Sequence, residues 1–76
     1  MGAANNSDYR RFVRLLTEAR RKAGITQVEL AKALKRPQSF VSKYERLERR
    51  LDVIEFLHIA KSIGIDPISV IRKFRF

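Results

Sequence analysis

The chain has 76 residues, 45% of them apolar, and no cysteine, which bounds it to one small domain with a shared core and excludes a disulfide framework or a thiolate metal site. No apolar run approaches the ~18 residues of a membrane span, and the polar stretch 1–8 lacks the apolar segment of a secretion signal, so a cytoplasmic setting is expected. Seventeen Lys and Arg against eight Asp and Glu leave a net charge of +9, and such a chain is relieved of self-repulsion by a polyanion, with nucleic acid the first candidate and an anionic membrane surface the second.

Residues 1–7 read as a disordered arm. Asp8 caps a first predicted helix over 8–23, in which Tyr9, Phe12, Val13, Leu16 and Ala19 recur at three- and four-residue spacing and form one apolar stripe. Gly24 suits the left-handed residue that ends a helix. Thr26 with Glu29 three residues on makes a capping box for a second helix over 27–34, whose buried face is Leu30, Ala31 and Leu34. Lys35-Arg36 interrupt, and Pro37 opens a third helix over 37–46, where its missing N–H costs nothing. Asp52 and Glu55 repeat the capping pattern for a fourth helix over 53–63, which Gly64 ends. Asp66-Pro67 starts a short fifth helix over 67–73. No segment alternates with period two, and no internal repeat occurs. The expected fold is all-α: five short helices that share one core, since helices of this length do not stand alone in water.

The third helix has two unlike faces. Pro37, Phe40, Val41 and Tyr44 fall on one side; Gln38, Ser39, Ser42, Lys43 and Arg46 fall on the other. A helix that reads a DNA groove needs this division, because one face must be held rigid while the other meets base edges. No carboxylate interrupts the middle of the polar face. Over 32–50 there are seven cations against two anions, a net of +5, and cations beside a reading helix neutralise flanking phosphates.

With these residues in view the chain resembles the Cro/repressor type of helix-turn-helix regulator, the XRE family. The resemblance rests on Gly24-Ile25-Thr26-Gln27, on Leu30-Ala31, on Gln38-Ser39-Phe40-Val41-Ser42-Lys43-Tyr44-Glu45, on Arg49-Arg50-Leu51-Asp52 and on Ile63-Gly64-Ile65-Asp66-Pro67, and it covers roughly residues 10–72. It implies a lambda-repressor-like bundle and a double-stranded DNA partner. Gln38 is then the leading base-reading residue, with Ser39, Ser42 and Lys43 on bases or nearby phosphates. Gln27 contacts a phosphate and buttresses the reading helix, and Arg36, Arg46, Arg49 and Arg50 meet flanking phosphates. Arg20 pairs with Glu45, which also follows from the position of Glu45 at the edge of the apolar face, where an unpaired carboxylate is costly. The chain departs from the family's pattern twice: Lys35 stands where the second helix usually ends in Gly, and Arg46-Leu47 stand where Gly usually follows the third.

Late in the chain, Ile65, Val70, Phe74 and Phe76 exceed what one face can bury, and a homodimer joined through them is expected. His58 is the only histidine and has no partners for metal binding or acid–base work; no catalytic constellation is found, and neither an enzyme nor a cofactor is expected. The expected function is a dimeric, sequence-specific repressor or controller that reads a palindromic operator. The alternative is a protein-interaction module, such as an antitoxin bound to its toxin, with DNA contact secondary.

Overall fold

The computed structural model describes residues 2–75, with side chains from Ser7 onward. Helix boundaries follow from local chemistry. The Thr26 side chain accepts from the Glu29 N–H at 3.1 Å while Glu29 accepts from the Thr26 N–H at 2.8 Å, and this reciprocal cap starts α2 (Gln27–Leu34). Asp52 and Glu55 do the same at 2.7 and 3.0 Å for α4 (Val53–Ile63). Asp66 caps α5 (Pro67–Ile71) by accepting from the Ile68 N–H. α1 (Gly2–Lys22) precedes them, and α3 (Gln38–Glu45) lies between α2 and α4. Among the described residues there is no strand.

α1 ends at Lys22 and α3 spans Gln38–Glu45, each within one residue of expectation; two boundaries differ by more. α1 begins at Gly2, so residues 2–7 are helical where a disordered arm is expected, and Asp8 lies inside the helix. Ala3-Ala4 are the best helix formers, and adding a turn to an existing helix is far easier than nucleating one. α5 ends at Ile71, two residues early.

Four helices end alike. The N–H of the residue after the left-handed position reaches back to a carbonyl of the last turn: Ile25 to Arg20, Arg36 to Ala31, Glu48 to Lys43 and, past Gly64, Ile65 to Ala60. Gly24 occupies the left-handed position after α1, but Lys35 (φ 57°) and Leu47 (φ 65°) occupy it after α2 and α3. A side chain there costs roughly 1 kcal/mol against glycine.

The core is one cluster. Val13 and Leu16 of α1 meet Leu30 and Ala31 of α2, Phe40, Val41 and Tyr44 of α3, Phe56, Ile59, Ala60 and Ile63 of α4, and Val70 of α5. Phe12 packs edge-on to Phe56 with ring centroids 5.0 Å apart. Each fully buried aliphatic side chain contributes about 1.5–3 kcal/mol. Tyr44 is fully buried, and its hydroxyl has no partner among the described residues; burial pushes its pKa well up.

The expected dimer residues are placed differently. Val70 is 5% exposed and belongs to the core. Ile65 packs against that core, Phe74 is half-buried with the Arg11 guanidinium 4.9 Å above its ring, and Phe76 lies outside the described residues. The large apolar side chains left in solvent are Ile68 and Ile71 on α5, Val53, Ile54 and Leu57 on α4, Val28 on α2 and Leu47 in the α3–α4 loop. The helical period explains the exchange: Ile68 and Ile71, three apart, share the outer face of α5, and Val70 turns to the opposite one.

Candidate nucleic-acid interface

Burial of Phe40, Val41 and Tyr44 fixes the rotation of α3. Gln38, Ser39 and Lys43 are thereby exposed and Ser42 half-buried, all on the side away from the core. Pro37 is exposed and serves as the residue before the first turn, outside the apolar face assigned to it from sequence.

A hydrogen-bonded chain runs from the base of α3 to its tip. Glu45, the last residue of α3, accepts from Arg20 of α1 through Nε at 2.7 Å and Nη2 at 3.0 Å, and from the Gln27 amide at 2.9 Å. Arg20 also donates to the Ile25 carbonyl at 2.8 Å. The Gln38 amide in turn donates to Gln27 Oε1 at 3.4 Å. Arg20 and Glu45 are 8% and 5% exposed, so the pair is desolvated. The hydrogen bond from Arg20 to Glu45 raises the arginine pKa further, against the opposing effect of burial. The chain thus ties α1, the α1–α2 turn, α2 and α3 together, and it also neutralises a carboxylate that the α3 dipole disfavours at a C-terminus.

A second network lies on the other flank of α3. Glu55 accepts from Arg49 through both guanidinium Nη atoms at 2.9 Å, from the Asp52 N–H at 3.0 Å and from Arg36 at 3.5 Å. Both guanidinia lie over the Phe40 ring, Arg36 at 4.1 Å and Arg49 at 4.8 Å. The Arg49 hydrogen bonds, then the Asp52 backbone N–H, hold the Glu55 carboxyl down to about 2. Arg49 is raised chiefly by the same contact.

The expected phosphate cations are therefore unequal. Arg49 is committed to Glu55 and to the Arg50 carbonyl. Arg36 is stacked on Phe40 with an edge in solvent. Arg46 pairs only with exposed Glu48 at 3.2 Å, which is worth little. Arg50 lies 4.4 Å over the Tyr9 ring, and the Tyr9 hydroxyl accepts from the Leu51 N–H at 3.0 Å, pinning the α3–α4 loop to α1. Sequence reasoning missed Glu55 as a hub, because its partners lie 3, 6 and 19 residues away and only the capping box leaves a local sign. His58 is exposed, and the described residues hold no group of carboxylates and histidine suited to a metal.

An outward polar helix, buttressed through a short preceding helix across a tight turn, is the geometry of a helix-turn-helix. The helix-turn-helix family model matches residues 16–69. The chain belongs to the helix-turn-helix family. Over 95% of its length it is 54% identical to an XRE-family like protein from Pseudomonas syringae pv. tomato str. DC3000, covering 88% of that chain with a TM-score of 0.92. It is also similar to a restriction-modification controller protein from Aeromonas hydrophila, at 28% identity and a TM-score of 0.75, over 84% of this chain and 97% of that one. A comparison with curated proteins finds no match. This helix-turn-helix protein is a DNA-binding transcriptional regulator of the XRE type. Among the described residues, no helix is long and apolar enough to cross a membrane.

Proposed function

We propose that the protein is a dimeric repressor or controller that reads a palindromic operator with α3. The observation that carries this reading is the Arg20–Glu45–Gln27–Gln38 chain, which stiffens an outward, carboxylate-free polar face. On this reading Gln38, Ser39, Ser42 and Lys43 meet base edges. Arg36, Arg46 and Arg50 meet phosphates, Gln27 a phosphate at the α2 N-terminus, and Arg49 acts mainly by holding the loop. The similarity to a restriction-modification controller supports the controller role.

The reading needs a second copy, since one helix spans too few base pairs for useful discrimination in a genome. A chain of net charge +9 cannot associate with itself through its cationic faces. The exposed apolar side chains Val53, Ile54 and Leu57 of α4 and Ile68 and Ile71 of α5 offer the contact. That surface also serves the alternative, a module for a protein partner. The test is binding by Gln38→Ala and Arg36→Ala to duplexes differing at single base pairs, with sedimentation of Ile68→Glu/Ile71→Glu alongside. Gln38→Ala is expected to flatten base preference by about 1–3 kcal/mol at one position per half-site. Arg36→Ala is expected to weaken all duplexes alike, and the double glutamate variant to sediment as a monomer. An unchanged preference for Gln38→Ala contradicts the placement of the reading helix, and an unchanged dimer contradicts the contact surface.

A further inference from the structure

Beside the C-terminal end of α3, two adjoining cavities of about 210 and 280 Å³ run between α1 and the α3–α4 loop. Arg10 and Leu47 line both; Tyr9 and Arg50 close one end, Arg14 and Glu45 the other. Arg10 and Arg14 are four residues apart, on one face of α1. Both are exposed, and the ion pairs formed among the described residues involve neither. Leu47 is the independent sign. It holds φ 65° and is 43% exposed, so it takes a disfavoured backbone conformation without gaining burial. The loop closure itself, from Leu47 N–H to Tyr44 and Glu48 N–H to Lys43, is one that glycine makes without strain. The loop thereby presents an apolar side chain beside Arg10 in both cavities.

We propose that this groove is a second DNA-binding element, which takes the sugar–phosphate strand flanking the segment read by α3. Arg10 and Arg14 neutralise two phosphates, and Leu47 packs on the apolar face of a deoxyribose between them. The inference rests on the DNA-reading orientation of α3 and deepens it. The groove begins at Glu45, the last residue of α3, so seating α3 in the major groove brings the adjacent backbone along α1. Glu45 does not repel that strand, because its carboxylate is 5% exposed and tied to Arg20 and Gln27. The contact of Leu51 with Tyr9 fixes the groove's width before DNA arrives. Alternation of cation and apolar side chain matches alternating phosphate and sugar. An acidic polypeptide offers charge without that alternation.

The test uses the full chain and a duplex recovered by selection from a random pool, with Arg10→Ala/Arg14→Ala, Leu47→Gly and Gln38→Ala compared with the wild type. The slope of log K against log salt is expected to fall by about 1.8 in the double arginine variant, two phosphates at about 0.9 each, so that the wild type's advantage shrinks about ten-fold between roughly 50 and 200 mM salt. Its base preference stays unchanged, and hydroxyl-radical protection shortens at the outer flank of the site. Leu47→Gly is expected to melt higher and yet bind several-fold more weakly, a combination that a merely structural role does not produce. An unchanged slope and footprint overturns the groove while leaving the reading helix intact, provided Gln38→Ala still shifts base preference. A Gln38→Ala variant that binds and discriminates like the wild type overturns both. If the arginine variant loses binding to poly-glutamate and keeps its binding to duplex, the groove belongs to an acidic protein and the proposal fails.

Discussion

Two carboxylate-centred networks flank α3, built from the same residue types and standing for different things. Glu45 gathers Arg20 and Gln27 in a desolvated site that joins three helices. Glu55 gathers Arg49 and Arg36 at the surface, with side-chain exposures of 38% and 40% on the two arginines. Around Glu45, removal of one partner strands a buried charge, so the network governs folding. Around Glu55, itself 14% exposed beneath two arginines that reach solvent, water replaces a lost arginine in part, so breaking the network costs less and mainly changes where two guanidinia sit over Phe40.

The comparison is broken most severely at Glu45. Arg20→Ala and Glu45→Ala are each expected to destabilise the fold by about 3–5 kcal/mol in chemical denaturation, and the double variant to lose far less than the sum. Small, additive losses would place the Arg20–Glu45 pair in the surface class. Lys35→Gly calibrates the scale, because it relieves a left-handed lysine that stands at the end of α2 and belongs to neither network. It is expected to raise stability by about 1 kcal/mol; a loss would mean that the lysine side chain contributes at that turn.

The Glu55 network is tested by pH. Its carboxyl is held at about 2 in the folded chain, below its ordinary 4.5, so the folded state binds this proton less tightly than the unfolded one. The stabilisation is fully present above pH 4.5 and is lost as pH falls towards 2. In urea titrations across that range, Glu55→Gln is expected to lie below the wild type at neutral pH and to converge with it near pH 2. A constant offset between the two contradicts this. The smallest change is expected from Tyr44→Phe, which removes a buried hydroxyl with no partner among the described residues. Stability is expected to hold or rise slightly; a loss above ~1 kcal/mol would mean that the hydroxyl is part of the neighbouring Glu45 network.

What was legible in the sequence was local or periodic. The caps at Thr26, Asp52 and Asp66 each declare themselves within three residues, and the two faces of α3 follow from helical period alone. The Arg20–Glu45 pair spans 25 residues and was reachable through the family resemblance and the awkward position of Glu45. The Glu55 hub was not reachable, since Arg36 and Arg49 both read as phosphate cations and nothing local says that a carboxylate of α4 lies between them. α5 misled for a related reason. One and a half turns give too little periodicity to decide which side faces in, and Val70, expected at a dimer contact, faces the core while Ile68 and Ile71 are the exposed pair.

The central claim is that α3, held rigid from behind, reads DNA as one half of a two-fold pair. Selection from a random duplex pool with the wild-type chain tests it most directly. The account predicts a dyad-symmetric consensus whose half-sites are about one helical turn, ~34 Å, or a multiple of it apart. It also predicts that Gln38→Ala, put through the same selection, loses preference at one symmetric pair of positions and keeps the spacing. No enrichment of duplex, or an asymmetric consensus that Gln38→Ala leaves unchanged, would contradict it.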